Sequence, residues 1–166
     1  MLSKEVLSGL SKQIQHELSA CYNYLALAIW FDQEMLKGLG KYFRKQAGEE
    51  QEHALRLLDY VLDRGSSVGL EAIEAPKAKF SSVVDALKHA QGMERGNTAA
   101  INNLYRTAVK ADDLATQNQL QWFINEQVEE EQWADEFVAI AEKVASDPAG
   151  LYLFDHRVAK KAEKQD

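Results

Sequence analysis

Cysteine and long apolar runs are both scarce in this chain of 166 residues. Its single cysteine, Cys21, has no second cysteine with which to form an internal disulfide. The longest uninterrupted apolar run, residues 25–31, is far shorter than the roughly 20 residues that a transmembrane helix needs. No apolar stretch of the signal-peptide type follows the first residues, so we expect neither secretion nor a membrane partner. These shortages favour a cytoplasmic location.

Positive charge is also in short supply. Lysine and arginine together number 19, against 26 aspartates and glutamates, which gives a formal net charge of −7. A chain of this charge is a poor partner for nucleic acid, and it attracts cations to its surface. Because 46% of the residues are hydrophobic, the chain can still bury a substantial core.

Prolines are few as well, and their scarcity leaves room for long helices. Only Pro76 and Pro148 occur, and the apolar residues elsewhere recur at steps of three and four, which indicates an all-α protein. Ser3 is a suitable N-cap for the first helix, and Gly38 and Gly40 are expected to end it. The sequence predicts one domain, 1–166, with helices over residues 4–36, 41–65, 82–110, 113–146 and 148–160.

The lengths of the predicted loops indicate the topology. Short connections join the first helix to the second and the third to the fourth, so each pair is expected to be antiparallel. Residues 66–81 form a longer crossover between the pairs. Sixteen extended residues span about 50 Å, which exceeds the roughly 40 Å of a helix of this length. We therefore predict a four-helix bundle with one long crossover and a short fifth C-terminal helix.

Polar residues repeat within the apolar stripes of the four long helices. Positions 17, 50 and 53 recur 77 residues later as positions 94, 127 and 130, which pairs Glu17 with Glu94, Glu50 with Gln127, and His53 with Glu130. In a bundle of two similar helix pairs, this spacing directs polar groups from all four helices toward one midpoint. That midpoint is the predicted site.

The residue types at this midpoint point to metal binding. Burying one unpaired carboxylate costs several kcal/mol, and the four glutamates of this set would also repel one another. Two divalent cations would offset their charge. One histidine among oxygen donors suits iron or manganese, and the chain has no Cys/His pattern of a structural zinc site. The sequence therefore predicts a dinuclear centre.

A combination of residues extends over nearly the whole chain, namely Glu17, Tyr24, residues 49–53, Glu94, residues 121–122, residues 125–131 and residues 150–152. These residues carry a resemblance to the non-haem bacterial ferritins. It implies a ferritin-like fold and a ferroxidase that oxidises Fe²⁺ to Fe³⁺ with O₂ or peroxide. It also implies iron storage and detoxification in a homo-oligomer, a 24-subunit cage that holds ferric mineral.

The resemblance further implies a role for each site residue. One iron would be held by Glu17, Glu50 and His53, and the other by Glu94 and Glu130 together with a bridging Glu50. Beside the second iron, Gln127 would act as a hydrogen-bonding neighbour. A third, weaker iron position would be built from Glu49, Glu126, Glu129 and Glu130.

Two aromatic residues and the cofactor set complete these expectations. Tyr24 corresponds to the family's tyrosine near the centre, and Trp122 is a further candidate electron donor. Haem is not expected, because Gln51 stands where the related bacterioferritins have a haem-binding methionine. Gln127 and Glu130 also stand where bacterioferritins tend to have glutamate and histidine.

Other interpretations remain open from the sequence. Taken singly, a glutamate such as Glu17 is more often a surface residue, and Tyr24 or Trp122 is more often a core aromatic. A di-iron or di-manganese oxidase of the rubrerythrin or manganese-catalase kind shares the bundle without the cage. A passive storage shell without oxidase activity is a third alternative, although this chain keeps all the expected ligands.

Overall fold

Five α-helices make up the fold in the computed structural model, which describes residues 1–164. They are α1 (Lys4–Gln33), α2 (Lys37–Asp63), α3 (Val83–Lys110), α4 (Leu114–Val144) and α5 (Pro148–Lys164). No strand occurs within the described residues, and the prediction of an all-α fold is confirmed. Among these helices, none combines the length and the apolar character needed to cross a membrane.

Three of the helices begin at a side chain that caps their first turn. Ser3, Ser82 and Asp113 each accept a hydrogen bond from the backbone N–H three residues further on, at 3.2, 3.0 and 3.0 Å. Such bonds satisfy N–H groups that have no partner inside the helix. This is the physical reason why α1, α3 and α4 start within one residue of their predicted positions.

The turn between α1 and α2 lies earlier than predicted. It covers residues 34–36, so Gly38 and Gly40 belong to α2 and do not end α1. The left-handed residue of the turn is Met35, with φ of 63°. Gly38 serves close packing, because a Cβ there would lie 2.0 Å from the carbonyl oxygen of Asp155 in α5. The other predicted boundaries lie within four residues of the observed ones.

Contacts between helix ends establish the topology. Near the end of α1, the Trp30 ring packs against Phe80, which lies just before α3, with ring centroids 5.5 Å apart. Near the start of α1, Gly9 lies against Leu104 toward the end of α3. These contacts make α1 and α3 antiparallel. Because the short turn makes α1 and α2 antiparallel too, α2 and α3 run in the same direction, as the crossover length predicted.

The core consists of two apolar clusters separated by a polar layer. One cluster is rich in aromatic rings and includes Tyr24, Phe31, Phe43 and Phe137. The other is mainly aliphatic and includes Leu10, Leu57, Ile101, Leu120 and Phe123. Buried polar side chains on all four long helices form this layer, namely Gln13, Glu17, Gln46, Glu50, His53, Glu94, Asn97, Gln127 and Glu130. Gln13 and Gln46 join it from its two edges through hydrogen bonds to Glu17 and Glu130. This layer is the predicted midpoint.

Helix α5 packs against α2 and α4 of the same chain. Phe154 and Val158 are buried in this contact, while Leu153 is 65% exposed. The sequence predicted that the apolar residues of this segment need a partner beyond one bundle. The bundle itself covers part of that set, and Leu153 remains as an uncovered apolar residue.

Candidate metal centre

All four long helices contribute carboxylate or amide side chains to the polar layer. Helix α1 provides Glu17, α2 provides Glu50 and His53, α3 provides Glu94, and α4 provides Gln127 and Glu130. Each of these side chains is at most 5% exposed. They are buried for the reason that the sequence suggested, since each lies within the apolar stripe of its helix. The structure therefore brings the six predicted residues into one layer.

The most compact part of the layer is formed by Glu17, Glu50 and His53. One ligand-type atom of each lies within 4.8 Å of the others. His53 Nδ1 is 3.8 Å from Glu17 Oε2 and 3.6 Å from Glu50 Oε2. Glu50 Oε2 is buried and has no hydrogen-bond partner. A buried oxygen without a partner is costly, and a bound cation would satisfy it.

Burial and mutual contact shift the proton affinities of these three groups. Burial raises the pKa of Glu50 well above its usual range, and the neighbouring Glu17 carboxylate raises it further. Burial also acts to raise the pKa of Glu17, but the close contacts with His53 and Glu50 and the hydrogen bond from Gln13 outweigh that effect and lower it. Although burial alone lowers the pKa of His53, the two carboxylates raise it to about 10. His53 therefore holds a proton at neutral pH, and burial favours the protonated form of Glu50.

The two carboxylates on α3 and α4 are held by side-chain donors. The hydroxyl of Tyr24 donates to Glu94 Oε1, and Gln127 Nε2 donates to Glu94 Oε2 at 3.1 Å. Glu130 Oε2 accepts from the indole N–H of Trp133 and from Gln46 Nε2, the latter at 2.9 Å. These hydrogen bonds hold the carboxylates of Glu94 and Glu130 in fixed orientations.

The same two carboxylates bind protons more tightly than exposed ones do. Burial raises the pKa of Glu94 well above its usual range, and the charge of Glu130 adds to the effect. Burial raises the pKa of Glu130 to about 7, although the hydrogen bond from Trp133 acts in the opposite direction. Both shifts result from burial of a carboxylate among other carboxylates.

The residues predicted for a third metal position line one cavity. Glu49, Glu126, Glu129 and Glu130 surround a space of about 280 Å³, together with Trp133 and Lys161. Glu49 is half-buried, and burial raises the pKa of its carboxyl. Glu129 is exposed. The structure thus brings the four glutamates to the edge of the polar layer, with Glu130 shared between the layer and the cavity.

The two predicted redox aromatics lie in different environments. Tyr24 is fully buried in the aromatic cluster and reaches the layer through its contact with Glu94. Trp122 is half-buried, and its ring centroid is 5.2 Å from that of His53. The guanidinium of Arg56 lies 4.1 Å from the Trp122 centroid. Tyr24 therefore adjoins the Glu94 side of the layer, and Trp122 adjoins the His53 side.

Sequence reasoning missed four residues that hold the predicted ones in place. Gln13 lies four residues before Glu17, and Gln46 lies four before Glu50. Asn97 lies three residues after Glu94, and Trp133 three after Glu130. Residues three and four apart share a helix face, so a search for polar or N–H-bearing neighbours at this spacing would have found all four.

Comparisons with known proteins agree with this architecture. The family described as Ferritin-like domain matches residues 7–144. A bacterial non-heme ferritin of Staphylococcus epidermidis is 36% identical over 162 residues, which cover 98% of each chain. One from Staphylococcus aureus is 36% identical over 155 residues and 93% of each chain. The structure of an open pore ferritin from the archaeon Archaeoglobus fulgidus superposes with a TM-score of 0.94 at 34% identity, over 96% of this chain and 98% of that one.

Proposed function

The chain belongs to the ferritin family, and from this premise we propose that it is an iron-storage subunit that oxidises Fe²⁺ to Fe³⁺ with O₂ or peroxide. Its curated relatives are bacterial non-heme ferritins, which support a role in iron storage. The oxidase activity is the finer proposal, and it depends on the polar layer. In this proposal Fe²⁺ is the substrate, and ferric mineral is the stored product.

The observation that carries the proposal is the buried trio of Glu17, Glu50 and His53. Three ligand-type atoms within 4.8 Å of one another can bind a single ion. The unpartnered oxygen of Glu50 fits a cation better than it fits a metal-free core. Two further buried carboxylates, Glu94 and Glu130, provide oxygen ligands for a second ion.

The proposed reaction uses two Fe²⁺ ions for each oxidant molecule, so that the electrons balance. Two Fe²⁺ give up one electron each, and these two electrons reduce O₂ to H₂O₂ or reduce H₂O₂ to water. Two ions bound close together can therefore deliver both electrons to one oxidant molecule. The two protons that O₂ or H₂O₂ takes up come from water. The protein's part is to bind Fe²⁺ through the carboxylates and His53, between the two apolar clusters. Product Fe³⁺ then leaves for the mineral.

Other residues have supporting roles in this proposal. The cavity of Glu49, Glu126, Glu129 and Glu130 is a third, weaker iron position that adjoins the dinuclear layer. Tyr24 orients Glu94 and, with Trp122, is a candidate electron donor beside the centre. Gln127 donates to Glu94, and in this proposal it is more a hydrogen-bonding neighbour of the second ion than a ligand.

Assembly and location also belong to the proposal. We propose a cytoplasmic homo-oligomer in the form of a 24-subunit cage, which would provide the space for mineral. The superposition with the archaeal open pore ferritin supports a subunit of cage-forming shape. The absence of haem remains a prediction from Gln51, Gln127 and Glu130.

Anaerobic Fe²⁺ titration followed by rapid mixing with O₂ tests the oxidase directly. Two Fe²⁺ per chain should bind at the layer, and mixing should consume O₂ quickly. The Glu50→Ala variant should lose most of this rapid oxidation, because it removes the ligand shared by both ions. Glu52→Ala is the matched control, since Glu52 lies on the same helix and is exposed. It should leave the rapid phase unchanged.

Two results would favour the other functions. Equal, slow oxidation by the native chain and by Glu50→Ala would indicate a storage shell without an oxidase centre. Rapid oxidation by a small assembly that forms no cage in electron micrographs would indicate an oxidase of the rubrerythrin or manganese-catalase kind.

A further inference from the structure

Three buried side-chain amides form a continuous series of hydrogen bonds that leads to the candidate centre. Gln13 Nε2 on α1 donates to Asn97 Oδ1 on α3 at 2.6 Å. Asn97 Nδ2 donates in turn to Gln127 Oε1 on α4 at 3.3 Å. Gln127 Nε2 then donates to Glu94 Oε2 at 3.1 Å. The chain runs in one direction across three helices and ends on a carboxylate of the centre.

Asn97 is the middle amide and makes one additional contact. Its Nδ2 also lies 3.4 Å from Glu17 Oε2, while Gln13 Nε2 donates to Glu17 Oε1 at 2.6 Å. Both oxygens of Glu17 thus face amide donors. Gln13 and Asn97 are each 2% exposed. An amide buried this deeply is costly to desolvate, and an apolar residue would fill the same space at less cost.

The direction of the chain decides which end of the Gln127 amide faces Glu94. Because Asn97 presents an N–H to Gln127, the carbonyl oxygen of Gln127 turns toward Asn97. The NH₂ group of Gln127 therefore faces Glu94 and also bonds to Thr98 Oγ1 at 3.2 Å. Successive amides polarise one another, so the last donor in such a chain is stronger than an isolated one.

We propose that Asn97 is a positioning residue of the metal centre, which holds Glu17 directly and holds Glu94 through the oriented amide of Gln127. This inference rests on the proposed function. It adds a link between the two halves of the centre, because Glu17 belongs to one proposed ion and Glu94 to the other. Fixed ligands bind metal more tightly and in more uniform geometry than ligands that must be ordered on binding.

The variant that tests this role is Asn97→Leu, with Asn103→Leu as the matched control. Asn103 lies on the same helix but is exposed, and its side chain bonds only to Arg106 in the described structure. The probe is Co²⁺ under anaerobic conditions, because its visible absorption bands report ligand number and geometry. Each variant is titrated as the full assembled protein, and circular dichroism checks its helix content. The native chain should bind two Co²⁺.

In the Asn97→Leu variant at least one Co²⁺ should bind about tenfold more weakly, which is the scale of one lost hydrogen bond to a charged group. Its visible bands should also change in shape, whereas a loss of packing alone would leave the bands of the bound ion unchanged. Gln13→Leu, which frees one end of the Asn97 amide, should shift binding in the same direction. If Asn97→Leu loses its helix content, the smaller Asn97→Ala substitution decides the question in its place, because Gln13 also donates directly to Glu17.

The outcomes separate this inference from the proposed function. If native protein binds two Co²⁺ and the folded variants match it in affinity and spectrum, Asn97 only fills space and the inference is wrong. If native protein itself binds fewer than two Co²⁺, the dinuclear centre is wrong, and the positioning role falls with it.

Discussion

At the scale of single residues, the candidate centre is a set of side chains that bind protons, and a cation must displace these protons in order to bind. Burial holds the pKa of Glu50 and of Glu94 well above the usual range, and two carboxylates raise that of His53 to about 10. With that pKa His53 carries a proton at pH 7, and burial favours the protonated forms of Glu50 and Glu94. Metal ligands must be deprotonated, so binding and protonation compete. The affinity for divalent cations should therefore fall as the pH falls.

This competition predicts a measurable release of protons. Anaerobic Co²⁺ binding at pH 7 should release at least one proton per chain, and the apparent dissociation constant should rise between pH 7 and pH 5. Titration calorimetry in two buffers of different ionisation enthalpy counts the protons. Glu50→Gln removes one proton-binding group and should reduce the count. Tight binding at pH 7 without proton release would contradict a protonated His53 in the metal-free chain.

The residues of the candidate centre could be predicted from the sequence, but their hydrogen bonds could not. The offset of 77 residues and the helical phase were enough to select Glu17, Glu50, His53, Glu94, Gln127 and Glu130, and the structure gathers all six. The hydrogen-bond directions were not predictable, because they depend on which neighbouring helix supplies each donor. Asn97 illustrates this limit, since its partners come from α1 and α4.

At the scale of elements, the region around the turn between α1 and α2 shows which of two structural roles glycine has here. A glycine that ends a helix supplies a left-handed conformation, whereas Met35 takes that conformation here with φ of 63°. Gly38 instead allows α5 to approach α2. The carboxylate of Asp155 accepts hydrogen bonds from the N–H groups of Gly38 and Leu39, at 2.9 and 2.8 Å. Asp155 thereby caps the start of α2, whose own N-cap residue has no side-chain bond.

Two substitutions on α2 should have opposite effects. Gly38→Ala places a Cβ 2.0 Å from a backbone oxygen of α5, so α5 must move and the cap from Asp155 is weakened. We expect a lower thermal midpoint and faster hydrogen exchange in α5. Gly48→Ala, on the same helix with no atom near its added Cβ, should instead stabilise by about 0.5–1 kcal/mol. Equal midpoints for both variants would show that the approach of α5 is not limited by Gly38.

Helix positions were more predictable than helix contacts for a physical reason. Caps such as Ser82 and Asp113 act within one turn, so local sequence reveals them. The contact between Asp155 and α2 joins residues more than a hundred positions apart, and nothing local in the sequence records it. Gly38 was expected in the turn because glycine commonly ends a helix, whereas it lies within α2, where it allows this contact.

At the scale of the whole molecule, the two apolar clusters hold a polar layer that would not be stable alone. Buried carboxylates oppose folding unless they are protonated or bound to a cation, whereas the apolar clusters on either side favour it. The apolar periodicity that predicted the bundle is the periodicity of these clusters. Their burial therefore explains both why the fold was predictable and how the bundle tolerates a charged centre.

In a single chain, the evidence for assembly is limited to apolar side chains that stay exposed on its surface. Phe154, Val158 and Ala162 of α5 are buried within the chain, whereas Tyr152 and Leu153 are 70% and 65% exposed. An apolar pair left open on a short helix is suited to contact with another copy. Helix α5 thus has an inner face that stabilises the subunit and an outer face available for assembly.

Two variants of α5 should separate these faces. Deletion of residues 148–166 removes both, so it should lower the thermal midpoint and prevent formation of the proposed cage. Leu153→Glu changes only the outer face, so the helix content should be retained while the assembly becomes smaller. Light scattering and electron microscopy measure assembly, and circular dichroism measures stability. A full cage of unchanged stability after the deletion would show that α5 serves neither purpose. A full cage in Leu153→Glu alone would place the subunit contacts elsewhere, and α5 would then act only within its own chain.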